Sequence, residues 1–265
     1  MAVLVVNAGS SSLKVAVFDA GLREVLAGRV TEIGGAARVE VGPLVGARSV
    51  PDHAAAMALV FEAMEEAGIS VGLLKAAAHR VVHGGASLVA PCRVTERVMA
   101  EVEACVPLAP LHNPANLTGM RAVRALVPDL PQFVSFDTAF HATVPEVAAR
   151  YALPAEAEAL GLRRYGFHGI SYASLVRKVQ EMGSRRVPDR VLAFHLGNGA
   201  SACGIVGGRS VATTMGYSPL DGLTMGTRAG AMDGNAVLRL AEVYGVAGAG
   251  RLLNRESGLL GLGGA

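Results

Sequence analysis

A strand, a tight polar turn and a second strand, written twice, constrain this chain more than any other feature. In residues 3–19 (VLVVNAGSSSLKVAVFD) the apolar runs 3–6 and 13–18 flank the turn Asn7-Ala8-Gly9-Ser10-Ser11-Ser12, with Lys14 just beyond it. Apolar and β-branched runs of this length, broken by small turn formers, predict a hairpin. Its turn offers backbone N–H groups, hydroxyls, an amide oxygen and an ammonium, the parts that hold a phosphate and a hydrated cation. Residues 191–208 (VLAFHLGNGASACGIVGG) repeat the pattern around His195-Leu196-Gly197-Asn198-Gly199-Ala200-Ser201. Superposed, Asn7 falls on His195 and Gly9 on Gly197. The repeat predicts two related lobes whose turns face one cleft, with a nucleotide on one side and an acceptor on the other. The plainer alternative is chance similarity between two hairpins.

Composition removes several classes of function. The 265 residues suffice for one or two domains. No uncharged apolar stretch reaches the roughly 18 residues of a membrane span, and the start shows no basic leader. With a net charge of +2 and no Lys/Arg run, nucleic acid finds no footprint. Three irregularly spaced cysteines, Cys92, Cys105 and Cys203, read as reduced thiols of a cytoplasmic protein, not as a disulfide frame or zinc site.

Along the chain, residues 24–30 and 38–41 read as strands and 52–67 as a helix, with Asp52 as its cap and Gly68 as its stop. A buried strand over 75–82 leads into His79-Arg80-Val81-Val82-His83-Gly84-Gly85. Helices follow over 95–106 and 115–127, separated by a stretch (107–114) too proline-rich for a regular element. The strand 132–136 ends at Asp137. Strands followed by alternating helix and strand indicate an α/β lobe with a mixed sheet. The lobe boundary is placed near Phe140, giving domains 1–140 and 141–265. The second domain is read as a helix (145–153), a polar loop (163–169), a helix (171–182), the repeated hairpin and a strand (209–214). A long loop (215–230) and a helix around residues 237–244 come next. The glycine-rich ending, 258–265, predicts neither strand nor helix and looks cut off.

Several side chains suit phosphoryl chemistry. Arg80, at a strand end, is placed to grip a carboxylate or phosphate through paired N–H groups, or else forms an ordinary salt bridge. His79 and His83, four positions apart, would suit a zinc pair only on a helix; on a strand and turn they point apart and read as structural or as supports behind the site. Asp137 suits a Mg²⁺-side ligand or a base, or a helix N-cap; His112 is either functional or a cap with Asn113. His168 lies downstream of Arg163 and Arg164, and Arg228 sits in Gly-Thr-Arg-Ala-Gly as a further charge clamp. The Gly-x₄-Gly-Lys-[Ser/Thr] turn and a Gly-x-Ser-x-Gly elbow with a histidine partner are missing from the sequence, and the glycine stretch 258–264 neither follows a clear strand nor opens a helix, so it does not read as a dinucleotide site.

These segments together resemble the acetate and propionate kinase family of the actin/sugar-kinase/Hsp70 superfamily. The matching motifs are NAGSSSLK (7–14), HRVVHGG (79–85), PLAPLHNP (107–114), DTAFH (137–141), YGFHG (165–169), HLGNG (195–199) and DGLTMGTR (221–228). The resemblance implies an α/β fold of two related lobes, each a mixed β-sheet with flanking helices and ribonuclease H-like repeats, the second lobe incomplete. It implies reversible in-line transfer of the γ-phosphoryl group of ATP to acetate, giving ADP and acetyl phosphate.

By the same resemblance, Asp137, His168 and Arg228 are catalytic, and Asn7 is the ligand of Mg²⁺ or Mn²⁺. Arg80 binds the substrate, with Val82, Leu111, Phe167 and Pro219 framing its methyl group. Lys14, His195, Leu196, Gly197, Asn198 and Gly199 bind ATP. A cytoplasmic homodimer with no membrane or nucleic-acid partner is implied. Ile170, Tyr172, Ala229 and Ala231 depart from the usual family residues, and the chain stops where relatives continue. Two alternatives therefore stand beside acetate kinase: a propionate kinase, or a fragment that binds ligand without the adenosine-binding region and without turnover.

Overall fold

Side chains alternate along β1 (Ala2–Gly9), fully buried at one residue and half-buried at the next. A strand with this period gives one face to the core. The computed structural model describes residues 1–182 and 188–263 and divides the chain into two units, Met1–Phe136 and Asp137–Ala265.

In the first unit β1 pairs antiparallel with β2 (Ser12–Asp19), and β3 (Glu24–Thr31), β4 (Gly35–Val41) and β5 (Leu44–Val50) continue the meander. After α1 (His53–Glu66) the strand β6 (Leu74–Val81) joins β1 in parallel. Next come β7 (Cys92–Arg93), α2 (Glu96–Ala104), α3 (Asn113–Leu126) and β8 (Gln132–Phe136), with β8 parallel to β6. Among the described residues the sheet order is β5-β4-β3-β2-β1-β6-β8-β7. Leu4, Val6, Leu13, Val15 and Val17 of the sheet share one core with Met57, Val60 and Met64 of α1 and Val123 of α3.

Local signals set the helix ends. Asp52 caps α1 by accepting from the Ala55 amide at 2.8 Å, and Thr95 caps α2 through the Val98 amide at 3.2 Å, each satisfying a donor that the first turn leaves unpaired. Helix α3 is held close against β1: a Cβ on Gly119 would sit 3.0 Å from the Ala8 methyl.

The second unit starts with a 3₁₀ turn, Ala139–Thr143, then the short helices α4 (Glu146–Ala149) and α5 (Ala155–Glu158), followed by α6 (Gly169–Glu181). The antiparallel strands β9 (Arg190–Leu196), β10 (Ala200–Val206) and β11 (Arg209–Thr213) lie in the order β11-β10-β9. Tyr172 of α6 packs with Ala193, Cys203 and Ile205 of the strands. Helix α7 (Gly234–Arg255) is interrupted at Gly245, where φ is 70°, and α8 (Gly258–Gly263) follows.

Four expectations need correction. Strand β5 was not foreseen, because only its terminal residues, Leu44 and Val50, are buried. The proline-rich stretch contains a 3₁₀ turn, Val106–Leu108, and then opens α3 with Pro114 in its first turn, where a missing N–H costs nothing. The helix expected over 145–153 ends at Ala149, since Arg150 turns into a bridge with Arg163. The glycine-rich end forms α8, anchored where Leu259 and Leu260 donate to the carbonyls of Met225 and Gly226 at 2.9 Å each.

Two buried amides of α3 fasten the ends of the central strands. Asn116 Nδ2 donates to the Ala8 carbonyl at 2.7 Å, and its Oδ1 accepts from the Val82 amide at 3.0 Å. Asn113 accepts from the His83 amide at 3.1 Å and donates to the His83 carbonyl at 3.0 Å. Stranding a buried polar group costs about 1–3 kcal/mol. Asn116→Ala strands two, so it is expected to destabilise the protein by about 2–4 kcal/mol. Urea unfolding checks this, and an unchanged midpoint would refute the tie.

Candidate active site

In the first unit the parallel β1–β6 pairing carries Asn7 and Arg80 to the carboxyl ends of neighbouring strands. That is where open α/β sheets hold their ligands. Arg80 Nη1 donates to Asn7 Oδ1 at 3.2 Å. Lys14 lies directly opposite Asn7 in the hairpin register, so an ammonium, an amide and a guanidinium share one end of the sheet. The turn itself is steadied by His53 of α1, whose Nε2 donates to the Gly9 carbonyl at 2.7 Å. Of the side chains expected to frame a methyl group here, Val82 is buried at 6% exposure and Leu111 is half exposed at 49%.

Both histidines of the 79–85 motif are buried and hydrogen-bonded within the first unit. His79 donates to Gln132 Oε1 at 2.7 Å, and His83 Nδ1 accepts from the Gly85 amide at 2.9 Å. Burial holds both rings at a pKa of about 4, the desolvation that favours the neutral form.

In the second unit a close approach organises the site. The Gly169 amide donates to the Asp137 carbonyl at 2.7 Å, and a Cβ on Gly169 would overlap that carbonyl oxygen. The preceding residue, His168, is left-handed at φ 62°, a conformation uncommon for a non-glycine residue. Buried His141 holds the loop from behind: Nε2 donates to the Phe167 carbonyl at 2.9 Å and Nδ1 accepts from Ser210 Oγ at 2.8 Å. Desolvation lowers the His141 pKa, so the ring is neutral in this role.

His168 Nδ1 lies 2.8 Å from Ser201 Oγ. Its ring stacks on His195 with centroids 4.0 Å apart, and His195 Nδ1 lies 3.0 Å from Ser171 Oγ. Across the turn, His168 Nε2 and Arg228 Nη1 both border the bare side of Gly199, 3.4 and 3.5 Å from where a Cβ would stand. Arg228 is fixed by donating to the Pro219 carbonyl at 3.1 Å, and desolvation lowers its pKa. The turn Gly197-Asn198-Gly199 closes on itself through the Gly197 amide and Gly199 carbonyl at 3.1 Å, while the Asn198 carbonyl accepts from Gly226 at 3.2 Å. Leu196 projects outward with 73% exposure.

Some expected residues do other work. Phe167 is 1% exposed and contributes its backbone carbonyl to His141. Arg164 donates to the Thr214 carbonyl and to Asp221, at 3.0 and 3.2 Å, and Arg163 pairs with Glu146 at 3.1 Å. These two arginines brace the loop that delivers His168. Sequence reasoning missed the contacts of Asn113, Asn116, His53, Ser201 and Ser171 with partners 24 to 108 positions away.

The sequence profile of the Acetokinase family matches residues 2–265. The chain belongs to the acetokinase family. Within that family, it is 47% identical over 276 residues to the acetate kinase of Streptomyces griseus, covering 98% of this chain and 67% of that protein. It is 46% identical to the acetate kinase of Deinococcus radiodurans, covering 98% and 68%. Among solved structures it matches acetate kinase from Porphyromonas gingivalis with a TM-score of 0.91 and 36% identity, covering 99% of this chain and 70% of that one. A propionate kinase from Francisella tularensis matches with a TM-score of 0.92 and 34% identity, covering 98% and 69%. The chain thus has the mixed α/β fold of these kinases and spans about two thirds of their length. No helix among the described residues is long and apolar enough to cross a membrane.

The buried histidines of the acetokinase fold predict a pH window. His79 and His83 ionise near pH 4 when folded and near 6.5 when unfolded. The unfolded chain therefore binds more protons between these values, and the stability they contribute, complete above 6.5, drains as pH falls toward 4. Each ring contributes on the order of 2–3 kcal/mol. Urea midpoints from pH 7 to 4.5 should fall less steeply in His79→Gln than in the parent chain; equal slopes would refute the assignment.

Proposed function

We propose that the chain carries the acetate kinase reaction, transfer of the γ-phosphoryl group from ATP to acetate with release of ADP and acetyl phosphate. The observation that carries this reading is the convergence of His168 and Arg228 on the bare side of Gly199, in a chain 47% identical to an acetate kinase. A glycine turn exposes backbone N–H groups to phosphate oxygens, and two cationic or N–H-bearing groups beside it would stabilise the charge of a transferring phosphoryl group.

Roles follow from chemistry. Acetate, with a pKa of about 4–5, is already ionised at neutral pH, so no base is required. The obstacle is bringing one anion up to another. Arg80 offers paired N–H groups to the carboxylate, and Val82 with Leu111 offers apolar surface to its methyl. Lys14, His195, Leu196, Gly197, Asn198 and Gly199 are assigned to ATP, and Arg228 and His168 to the charge that develops during transfer. Among the described residues no cluster of three or more His, Cys, Asp or Glu side chains forms a dedicated metal cage. The cation assigned here is Mg²⁺ (or Mn²⁺), which keeps waters and takes few protein ligands beside the phosphates. Asn7 Oδ1 accepts one bond from Arg80 and retains a second lone pair for such a cation; Asp137 is assigned as a catalytic carboxylate of the second unit. When bound, the cation would neutralise phosphate charge. A cytoplasmic homodimer is part of the same reading.

Hydroxylamine trapping of acetyl phosphate from ATP, Mg²⁺ and acetate tests it. Turnover is expected, lost in Asp137→Asn and reduced about 10²–10³-fold in kcat in Arg228→Ala, with nucleotide KM little changed. A folded chain without turnover, or Arg228→Ala acting on KM alone, would overturn the assignment.

The propionate kinase match at TM-score 0.92 supports a second reading. Buried Val82 leaves less space for an added methylene, which is worth about 1–3 kcal/mol in such a pocket. Acetate is therefore expected to exceed propionate in kcat/KM by about tenfold or more; equal values would favour the propionate reading.

A further inference from the structure

Three hydrogen bonds in the second unit run in series from His168. Its Nδ1 lies 2.8 Å from Ser201 Oγ, Ser201 Oγ lies 2.6 Å from the Tyr172 hydroxyl, and that hydroxyl lies 2.9 Å from the Ser201 carbonyl. Ser201 is fully buried and Tyr172 is 1% exposed, so water does not substitute for a missing partner. The series ends on a carbonyl, which only accepts, and that fixes its direction. Tyr172 has one proton and gives it to the carbonyl, so its oxygen accepts from Ser201 Oγ. Ser201 thereby spends its only proton, and Oγ can accept from His168 Nδ1.

We propose that Tyr172 is a positioning residue for His168: acting through Ser201, it keeps a proton on Nδ1, so that the ring gains or loses its other proton at Nε2, the atom beside Gly199 and Arg228. The proposal rests on the assignment of His168 to the reaction and deepens it. A ring held in this way reaches the imidazolium form, with N–H groups at both ends, without reversing any hydrogen bond behind it. The charge-bearing nitrogen and the developing phosphoryl charge would then lie on the same side of the ring.

The surrounding groups are consistent with this arrangement. His195 stacks on His168 and is tied by its own Nδ1 to Ser171, so the stack holds the plane of the His168 ring. Arg228 adds positive charge across Gly199. Asp137, whose carbonyl holds Gly169, brings a carboxyl group to the same loop. Burial pushes the Tyr172 phenol up, so it keeps the proton the series needs. Stacking fixes the plane of the His168 ring and the left-handed backbone at φ 62° fixes its origin; the hydroxyl series then selects which nitrogen faces which way.

Without Tyr172 the polarity reverses. In Tyr172→Phe the Ser201 hydroxyl has lost its acceptor, and His168 Nδ1 becomes the nearest one. The ring then carries its single proton on Nε2 and is held neutral.

Long-range ¹H–¹⁵N spectra of the histidine rings, recorded on the full chain at about pH 8.5, where an ordinary ring near 6.5 is neutral, test this directly. His168 is assigned by its disappearance in His168→Gln. The parent chain is expected to give the Nδ1–H pattern and Tyr172→Phe the Nε2–H pattern. An Nε2–H pattern in the parent, or an Nδ1–H pattern that survives in folded Tyr172→Phe, would overturn the proposal. Should Tyr172→Phe fail to fold, Ser201→Ala takes its place: it too is expected to lose the Nδ1–H preference, and retention overturns the proposal. A chain that shows the expected patterns but makes no acetyl phosphate would sink the kinase reading and leave the positioning role intact; an active chain with the Nε2–H pattern would do the reverse.

Discussion

Parallel pairing of β1 with β6 is the contact on which the first unit depends. It has no turn of its own, since the two strands are joined through the meander and α1, so its register has to be imposed from elsewhere. The buried amides of Asn113 and Asn116 impose it by hydrogen bonding to backbone groups just beyond the strand ends. Gly119, one turn further along α3, removes the side chain that would hold the helix away. Asn7 and Arg80 are therefore aligned by a polar tie that is itself dry, and a buried tie of this kind is costly to break.

The second unit solves the same problem with a different device. Its loop is pulled against the chain at Asp137 by a glycine that tolerates the contact, and is held behind by a neutral, buried histidine. What results is a non-glycine residue in a left-handed conformation, with its ring clamped between a stack and a serine. Such a conformation persists only where the surroundings over-determine it. Here the backbone hydrogen bond of Gly169, His141 on the Phe167 carbonyl and Ser201 on the ring all agree. The strand ends and the loop that carry these groups are thus fixed by hydrogen bonds to backbone carbonyls and amides.

Much of this architecture is written locally. Both hairpins, the caps Asp52 and Thr95 and the strand β8 follow from alternation and turn chemistry within a dozen residues. The residue types suited to phosphate chemistry are equally legible, because Asn, Lys, Arg, His and Asp beside glycine turns are conspicuous. What local pattern does not carry is partnership. Nothing around Ser201 or Asn116 marks the atoms they meet, and Arg164 reads as a ligand clamp until Asp221 and the Thr214 carbonyl are seen to occupy it. Strand β5 escaped because its exposed middle, Val45 to Ser49, offers no alternation. Helix α8 escaped because glycine disfavours helices, and its seat on Met225 and Gly226 is a tertiary contact that overrides propensity.

The Asn116 tie also sets an order of assembly. It spans 108 positions to Ala8, whereas the hairpins of the meander close over a few residues, and the entropy of closing long loops makes such distant contacts late events in folding. A chain growing from its amino end can complete β1 to β5 while the seat of Arg80 does not yet exist, because the residue that fastens it has not been made. The meander is a local product; the end of β6 where Arg80 meets Asn7 is a property of the finished unit. Slow steps in folding therefore fall on the part of the sheet that carries the charge.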